Sequence, residues 1–352
     1  MHRKYIAFIL SPLLLLALLV LSFGWRLQEL KGDMTRVGGY SENDFGWNGL
    51  QKKFTASLAE EGVEGGSYDI IILGDSFSLR TSPDRQTQYG GFWTDFLAQK
   101  IDAKIGVFNV EPPKLEEFLQ KETFTRHPPK LVILEYVERQ LKNKFFSIGS
   151  ECPSTQPELK TKLQLSLKTK NLEPVSEKRA AKTGWHDNLP GETIDYLWKN
   201  LYRKITNRDP STIVKLPISK ADLFTNLRSS EILLTDGDFL KKDWAPSDWQ
   251  AIDCRLLQIQ AAVESNSFTH FALIIAPDKS TAYSDFLAPS DRMPNSVEKI
   301  AQDPKLHLIR LDLPLKNAIQ SGAKDVYLPN DTHWGSAGSV IVADEVLSFL
   351  KK

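Results

Sequence analysis

The residue best placed for chemistry in the first half of the chain is Ser76, within the segment GDSFS at 74–78. A serine hydroxyl attacks an ester only when a base removes its proton and a donor stabilises the oxyanion. The apolar run Tyr68–Leu73 directly before it is typical of a buried strand, so Ser76 would lie on the turn at the sheet edge. Because the motif is short, a helix-capping serine is the alternative interpretation.

A candidate base stands near the C-terminus, in the segment NDTHWG at 330–335. Asp331, two residues before His333, can accept the imidazole Nδ1–H and leave Nε2 as the base, which supplies the orienting group of a triad. Alone, the pair also fits a fragment of a metal site or a solvated loop. No second histidine or carboxylate cluster has a recognisable metal-ligand spacing, so we expect neither a metal nor a cofactor.

Strands alternate with helices around these two segments. Strands are predicted at 68–73, 104–110, 130–136, 271–275 and 307–311, and helices at 91–100, 248–265 and 338–350. Such alternation predicts an α/β fold, with a parallel sheet covered by helices on both faces. Residues 146–240 interrupt the rhythm, and we interpret them as an insertion. It is either a lid over a substrate cleft or a structural decoration.

The N-terminus predicts a membrane anchor. His2, Arg3 and Lys4 precede an almost unbroken apolar run, Tyr5–Trp25, and about 20 helical residues suffice to cross the hydrocarbon layer. A cleaved signal peptide, which has a shorter apolar centre, and a buried core helix are the alternatives. The basic residues should stay cytoplasmic, so the rest would be exported. The predicted organisation is an anchor at 1–25, a linker at 26–66 and a catalytic domain at 67–352.

Composition excludes some partners and leaves the cysteines open. Basic and acidic residues balance at 44 each, whereas a nucleic-acid surface needs a basic excess. We therefore expect no nucleic-acid partner. Export would permit a disulfide between Cys152 and Cys254, and two unpaired thiols are the alternative.

Together, the serine after the first strand and the Asp-x-His before the last helix resemble the SGNH hydrolase superfamily. Closer still is its AlgJ/AlgX and DHHW-type group of polysaccharide O-acetylation proteins. Further segments similar to that group are LEYVER at 134–139, LFTN at 223–226 leading to FLKKDW at 239–244, and APDKSTAY at 276–283. The resemblance covers most of the chain beyond residue 66. It implies a flavodoxin-like sheet and a catalytic triad of Ser76, Asp331 and His333.

Two features depart from that group. In the AlgJ/AlgX proteins the Asp-x-His segment precedes the serine segment, whereas here the serine comes first, as in the wider superfamily. The usual oxyanion glycine and asparagine also have no evident counterpart. NVEP at 109–112 lacks the glycine, and Glu135–Arg139 stands where the asparagine would be. Arg139 is either a substitute donor to oxyanion or substrate, or is held structurally by Glu135 or Glu138.

Three further residues are candidates for substrate contact. Lys279 and Tyr283 follow a strand end, where open parallel sheets bind ligands, and a packing role is the alternative. Trp334, next to the base, would either stack on a sugar or cover the triad from water.

The resemblance implies an O-acetyltransferase on an exopolysaccharide or cell-wall glycan, anchored in the inner membrane with its domain in the periplasm or outside the cell. The acyl donor would come from a multipass membrane O-acyltransferase partner, because acetyl-coenzyme A is cytoplasmic. The alternatives are an acetylesterase with the same triad and a non-catalytic glycan-binding assembly protein.

Overall fold

A computed structural model describes residues 2–26, 29–79, 91–146, 152–153, 155–169, 172–179 and 190–351. The strands are β1 (Gln51–Lys53), β2 (Glu60–Glu61), β3 (Ile70–Leu73), β4 (Ile101–Asp102), β5 (Ile105–Phe108), β6 (Leu131–Val137), β7 (Ser166–Leu167), β8 (Val175–Glu177), β9 (Ile213–Pro217), β10 (Glu231–Thr235), β11 (His270–Ala276) and β12 (Leu308–Ile309).

The α-helices are α1 (His2–Arg26), α2 (Asp33–Gly38), α3 (Glu42–Phe45), α4 (Trp93–Lys100), α5 (Leu115–Leu119), α6 (Glu122–Thr125), α7 (Leu141–Phe145), α8 (Pro190–Thr206), α9 (Pro246–Glu264), α10 (Lys279–Ala282), α11 (Ser296–Ile300), α12 (Asp312–Gln320) and α13 (Ser336–Leu350). Short 3-10 helices cover Pro112–Lys114, Glu138–Gln140, Asp236–Asp243, Ser284–Phe286 and Pro289–Asp291.

The centre of the fold is a six-stranded sheet in the order β12-β11-β6-β3-β5-β2, and its paired strands run parallel. Leaving out the edge strand β2, the chain order across the sheet reverses between β3 and β6. In doubly wound folds, ligands bind in the crevice at such a reversal, outside the carboxyl ends of the strands. The predicted α/β class is therefore confirmed, and Ser76 follows β3 at that crevice.

Helices cover both faces of the sheet because the strands are apolar on both sides. Ile70 and Ile72 of β3 belong to the core that contains residues of α4 and α13. Ile71 and Leu73 point to the opposite core, which contains residues of α9. Alternate side chains of a strand face opposite sides of a sheet. A continuous apolar run such as β3 is thus what a strand buried on both faces requires.

The predicted linker at 26–66 is wrong for most of its length. It contains α2, α3, β1 and β2, and β2 pairs with β5 as the sheet's edge strand. Polar composition suggested a linker, but residues 29–45 of this segment use their donors and acceptors against the C-terminal half of the chain, as described below.

The predicted insertion is attached to the domain by two short antiparallel pairings, β7 with β4 and β8 with β1. Strands β9 and β10 pair with each other as a hairpin within the same region. Residues 147–151, 154, 170–171 and 180–189 lie outside the described residues, and the lid remains a prediction. Cys152 and Cys254 form a disulfide that ties the start of this region to α9.

Helix α1 covers 25 residues of the N-terminus and leaves Leu13, Leu14, Leu15 and Leu16 exposed. Counted over the described residues alone, no helix combines the length and apolarity that a membrane crossing needs.

Candidate active site

The nucleophile turn, residues 74–78, is packed tightly against the end of β6. A Cβ on Gly74 would lie 2.6 Å from Ser78 Oγ and 2.9 Å from a carboxyl oxygen of Glu135, so only glycine fits without displacing both. The turn begins where the fully buried strand β3 ends, and it leaves Ser76 half-buried. Ser76 therefore lies at the carboxyl end of the central strand β3, where its hydroxyl faces the crevice.

Two carboxyl groups fix this turn, Asp75 within the turn and Glu135 on the neighbouring strand β6. Asp75 accepts hydrogen bonds from the backbone N–H of Phe77 (2.9 Å) and of Val137 at the end of β6 (3.1 Å). Glu135 accepts from Ser78 Oγ (2.6 Å) and from the Asp75 N–H (3.3 Å). Burial, together with the neighbouring Asp75, raises the pKa of Glu135 well above its usual value. The nucleophile turn is therefore held by the strand next to it.

The acid–base turn, residues 328–334, carries the other two candidate residues. The Leu328 N–H donates to the His333 carbonyl (3.0 Å) and closes the turn, while the His333 N–H donates to Asp331 Oδ1 (3.0 Å). The same carboxyl oxygen lies 2.5 Å from His333 Nδ1. On the other side of the ring, His333 Nε2 lies 2.8 Å from Ser76 Oγ. The structure thus brings Ser76, His333 and Asp331 together in the order of a catalytic triad.

The charges of the pair are mutually reinforcing. Burial alone would raise the pKa of Asp331, but the His333 charge and hydrogen bonds lower this pKa to about 2. Burial alone would lower the pKa of His333, but the charge and hydrogen bond of Asp331, together with the charges of Asp33 and Asp75, raise this pKa. Asp331 is therefore ionised at neutral pH and favours the imidazolium that would form after proton transfer.

Lys279 lies behind the acid–base turn, which does not support the expected substrate contact. Its side chain is buried, and its ammonium donates to the carbonyl oxygens of Leu328 (2.7 Å), Pro329 (3.1 Å) and Asp331 (3.2 Å). Burial lowers its pKa to about 8. The strand-end position had suggested a ligand contact, but the side chain turns inward and holds the turn that carries the triad.

Tyr283 and Trp334 are also buried, at 0 % and 1 % exposure, so neither offers a free face to a sugar. The Tyr283 hydroxyl accepts from the backbone N–H of Tyr327 (3.3 Å). The Trp334 ring packs against Phe77 with the ring centroids 4.8 Å apart. Tyr283 therefore has a packing role, and for Trp334 the arrangement favours covering the triad over sugar stacking.

Arg139 retains partial access to solvent, with 17 % of its side chain exposed. Its guanidinium donates to Asp278 (2.8 Å), so the carboxylate that holds it is Asp278 and not Glu135 or Glu138, the partners named in the structural alternative. It interacts electrostatically with Asp75 of the nucleophile turn. Of the residues predicted to contact oxyanion or substrate besides Ser76, Arg139 alone keeps a partly exposed charged group.

The triad residues Asp331 and His333 also form, with Asp33, a cluster of possible metal ligands. Asp33, Asp331 and His333 place one ligand atom each within 4.8 Å of one another. Both ring nitrogens of His333 are already engaged, Nδ1 with Asp331 and Nε2 with Ser76. A metal would have to displace one of these hydrogen bonds, so the arrangement favours proton transfer over metal binding.

Asp33 and Glu42 were not predicted as site residues, because both fall in the predicted linker. Asp33 contacts Thr332, and Glu42 accepts two hydrogen bonds from Asn330 Nδ2, at 3.2 and 2.9 Å. No local motif marks either residue in the sequence. Their role depends on a chain segment almost 300 residues away, which periodicity within the segment cannot indicate.

Comparison with protein-family models, with curated proteins and with solved structures finds no match to this chain.

Proposed function

We propose that this protein is a serine acyltransferase that works through an acyl-serine intermediate on Ser76. The observation that carries the proposal is the pair of hydrogen bonds on His333, 2.8 Å from Nε2 to Ser76 Oγ and 2.5 Å from Nδ1 to Asp331 Oδ1. A half-buried serine with a base and an orienting carboxylate is the arrangement that activates a hydroxyl for acyl transfer.

In the proposed reaction, Ser76 Oγ attacks the acyl carbonyl carbon while His333 Nε2 takes the hydroxyl proton. The alcohol of the donor ester leaves with that proton and the acyl group stays on Ser76. His333 then removes the proton of an acceptor hydroxyl, which attacks the acyl-serine, and the proton returns to Ser76 Oγ. Asp331 keeps the imidazole oriented in both halves. The Ser76 backbone N–H and Arg139 are the proposed donors to the oxyanion.

The proposed substrate is an exopolysaccharide or cell-wall glycan, and the proposed group is acetyl. This part follows from the SGNH-type resemblance of the motifs around Ser76, Asp331 and His333 to the AlgJ/AlgX and DHHW-type group. A multipass membrane O-acyltransferase is the proposed donor, with no cofactor in the enzyme itself. An esterase would use the same triad and hand the acyl group to water.

We also propose that α1 anchors the protein in the cytoplasmic membrane, with the domain in the periplasm or outside the cell. Support comes from the apolar run of α1, whose leucines are exposed, and from the basic residues that precede it. An exposed apolar helix in water is unfavourable by roughly 25 cal/mol per Å² of apolar surface, and lipid would remove that cost.

The test uses the full-length protein in detergent with a chromogenic acetyl ester, with and without glycan acceptors. Wild type is compared with Ser76→Ala and with Ser290→Ala, a matched change at an exposed serine. The Ser290 hydroxyl donates to its neighbour Asp291 (3.4 Å), so its loss should leave the acyl-enzyme intact. Mass spectrometry of the peptide that contains residue 76 locates the acyl group.

Three outcomes are distinguishable. Ester cleavage that needs Ser76, with the acyl group moved onto an added glycan, supports the transferase. Cleavage that needs Ser76 and ignores every acceptor replaces it with the esterase. Full activity of Ser76→Ala, or no acyl adduct in folded wild type supplied with the membrane partner, contradicts the proposed mechanism.

A further inference from the structure

The segment directly after α1 is folded over the acid–base turn. We call residues 29–45, which include α2 and α3, the N-terminal strap. The backbone N–H groups of Met34 and Thr35 donate to the Asn330 carbonyl at 3.1 and 3.3 Å. A Cβ on Gly32 would lie 2.0 Å from that same oxygen, so the strap backbone approaches the turn too closely for any other residue.

Asp33 makes the most direct contact between the strap and the triad. Its Oδ1 accepts from the Thr332 N–H at 2.8 Å, and its Oδ2 accepts from the Thr332 hydroxyl. In return, the Asp33 backbone N–H donates to Asp331 Oδ2 at 3.2 Å. Thr332, which lies between Asp331 and His333, is thus held by Asp33 through both its backbone and its side chain. Asp331 Oδ2, the carboxyl oxygen that does not bond to the imidazole, accepts the Asp33 N–H.

A second carboxylate fixes the strap itself. Glu42 Oε1 accepts from the backbone N–H of Gly32 (2.9 Å) and of Lys31 (3.1 Å), and both Glu42 oxygens accept from Asn330 Nδ2. The strap and the turn therefore share a hydrogen-bonded core. Because the Lys31 and Gly32 donors are backbone groups, their bonds to Glu42 depend on the conformation of the strap.

Three carboxylates act on the His333 imidazole, each from a different element. Asp331 lies on its own turn, Asp33 comes from the strap, and Asp75 comes from the nucleophile turn. Lys279 lies behind the turn and interacts with Asp33 and Asp331, while Arg139 interacts with Asp33 and Asp75. Removing one carboxylate should therefore destabilise the imidazolium and leave the two cations in place.

We propose that Asp33 is a positioning residue of the triad, which holds Thr332 so that Asp331 and His333 keep their orientation toward Ser76. Its charge also favours the imidazolium formed when Ser76 gives up its proton. The inference rests on the proposed acyl-transfer function. It further links the catalytic turn to α1, since only residues 27–32 separate α1 from α2.

The test compares full-length wild type with Asp33→Asn, which keeps the shape but leaves one former acceptor atom as an NH₂ group facing a donor. Displacement of the turn should lower kcat by about 10- to 100-fold, as small misplacements of catalytic groups do, with little change in KM. The acid limb of the pH–rate profile should move to lower pH by about one unit, because a carboxylate near His333 is lost.

Two further variants separate positioning from folding. Thr332→Val, which removes the hydroxyl donor, should reproduce part of the kcat loss, and Thr332→Ser should restore it. Asp44→Asn removes the same charge from the same strap. Its backbone carbonyl, which accepts from Arg228, is unaffected, so its activity should match wild type.

The pKa of His333, followed by NMR titration of labelled histidine and assigned with His333→Gln, tests the inference without any substrate. A lower pKa in Asp33→Asn than in Asp44→Asn supports it even if Ser76 proves not to be acylated. An unchanged pKa together with wild-type kcat overturns it. So does a kcat loss that only follows the folded fraction while the acid limb stays in place.

Discussion

The nucleophile turn and the acid–base turn meet at one hydrogen bond but are held in place by different parts of the chain. The nucleophile turn is fixed by Glu135, 57 residues from Ser78, on the strand next to β3. The acid–base turn is fixed by Asp33, 299 residues from Thr332, and by Lys279, about 50 residues away. The first is supported by the sheet, and the second by segments packed over it.

This difference predicts different kinds of sensitivity. The main support of the nucleophile turn is Glu135 on β6, and its raised pKa favours the neutral, protonated form. The supports of the acid–base turn are the Lys279 ammonium and the Asp33 carboxylate, whose hydrogen bonds end on backbone atoms and on the Thr332 hydroxyl. Such charge-assisted bonds are roughly twice as strong as neutral ones. Changes on the acid–base side should therefore cost more activity and more stability.

The largest expected effect is that of Asp331→Asn on the acid–base turn, and Asp75→Asn on the nucleophile turn is its matched comparison. Asp331→Asn should lower kcat by about 10³- to 10⁴-fold, because an amide favours the wrong imidazole tautomer. Asp75→Asn removes a carboxylate that accepts from the backbone N–H groups of Phe77 and Val137, so a loss of about 10-fold is expected. Ester-cleavage kinetics give both values, and equal losses on the two sides would break the comparison.

An intermediate effect is expected at Lys279. Lys279→Met leaves three backbone carbonyl oxygens without their buried donor, so the free energy of unfolding should fall by about 2–4 kcal/mol. The matched control is Lys316→Met, which breaks a half-exposed ion pair with Asp285 and should cost about 0–1 kcal/mol. Urea unfolding measures both. A Lys279→Met protein as stable as the control would show that the turn does not need this support.

The smallest effect on activity is expected at Glu135. Burial and the neighbouring Asp75 raise the folded-state pKa of Glu135 above the usual 4.5. The protonated form of Glu135 therefore contributes fully to the free energy of unfolding below pH 4.5, and this contribution is lost as pH rises through the folded-state pKa. Glu135→Gln mimics the protonated form, so activity near pH 7 should change less than about threefold.

Relative to wild type, Glu135→Gln should become more stable as pH rises from 5 to 8, because only the wild-type protein then has to ionise a buried carboxyl group. Urea unfolding at the two pH values measures this difference. A constant difference would mean that Glu135 is already ionised in the folded protein, and that the nucleophile turn also depends on charge.

Several elements could be predicted from the sequence because their signals are local. The apolar runs of β3, β6 and β11 give a buried parallel sheet, and the predicted strands and helices around them agree with the structure within a few residues. Ser76 and the Asp331–His333 pair were recognisable since each sits at a fixed offset from such an element. The spacing of two residues between Asp331 and His333 predicts that the carboxylate accepts from imidazole Nδ1–H and leaves Nε2 as the base.

The remaining features depend on contacts between distant segments. A polar stretch such as the strap reads as a linker until Asn330 and Thr332 are known to receive its donors and acceptors. The inward direction of Lys279, the Asp278 partner of Arg139 and the bond between Cys152 and Cys254 are likewise undetermined by spacing.

The sequence by itself determined the α/β class, the element that precedes each triad residue and the residue types that can transfer an acyl group, because strand and helix periodicity act over a few residues. Only the tertiary structure decided that Ser76 Oγ and His333 Nε2 are in hydrogen-bond contact, and that Asp33 and Lys279 hold the turn between them. Buried polar groups must find partners wherever packing places them, and that placement is a property of the whole fold.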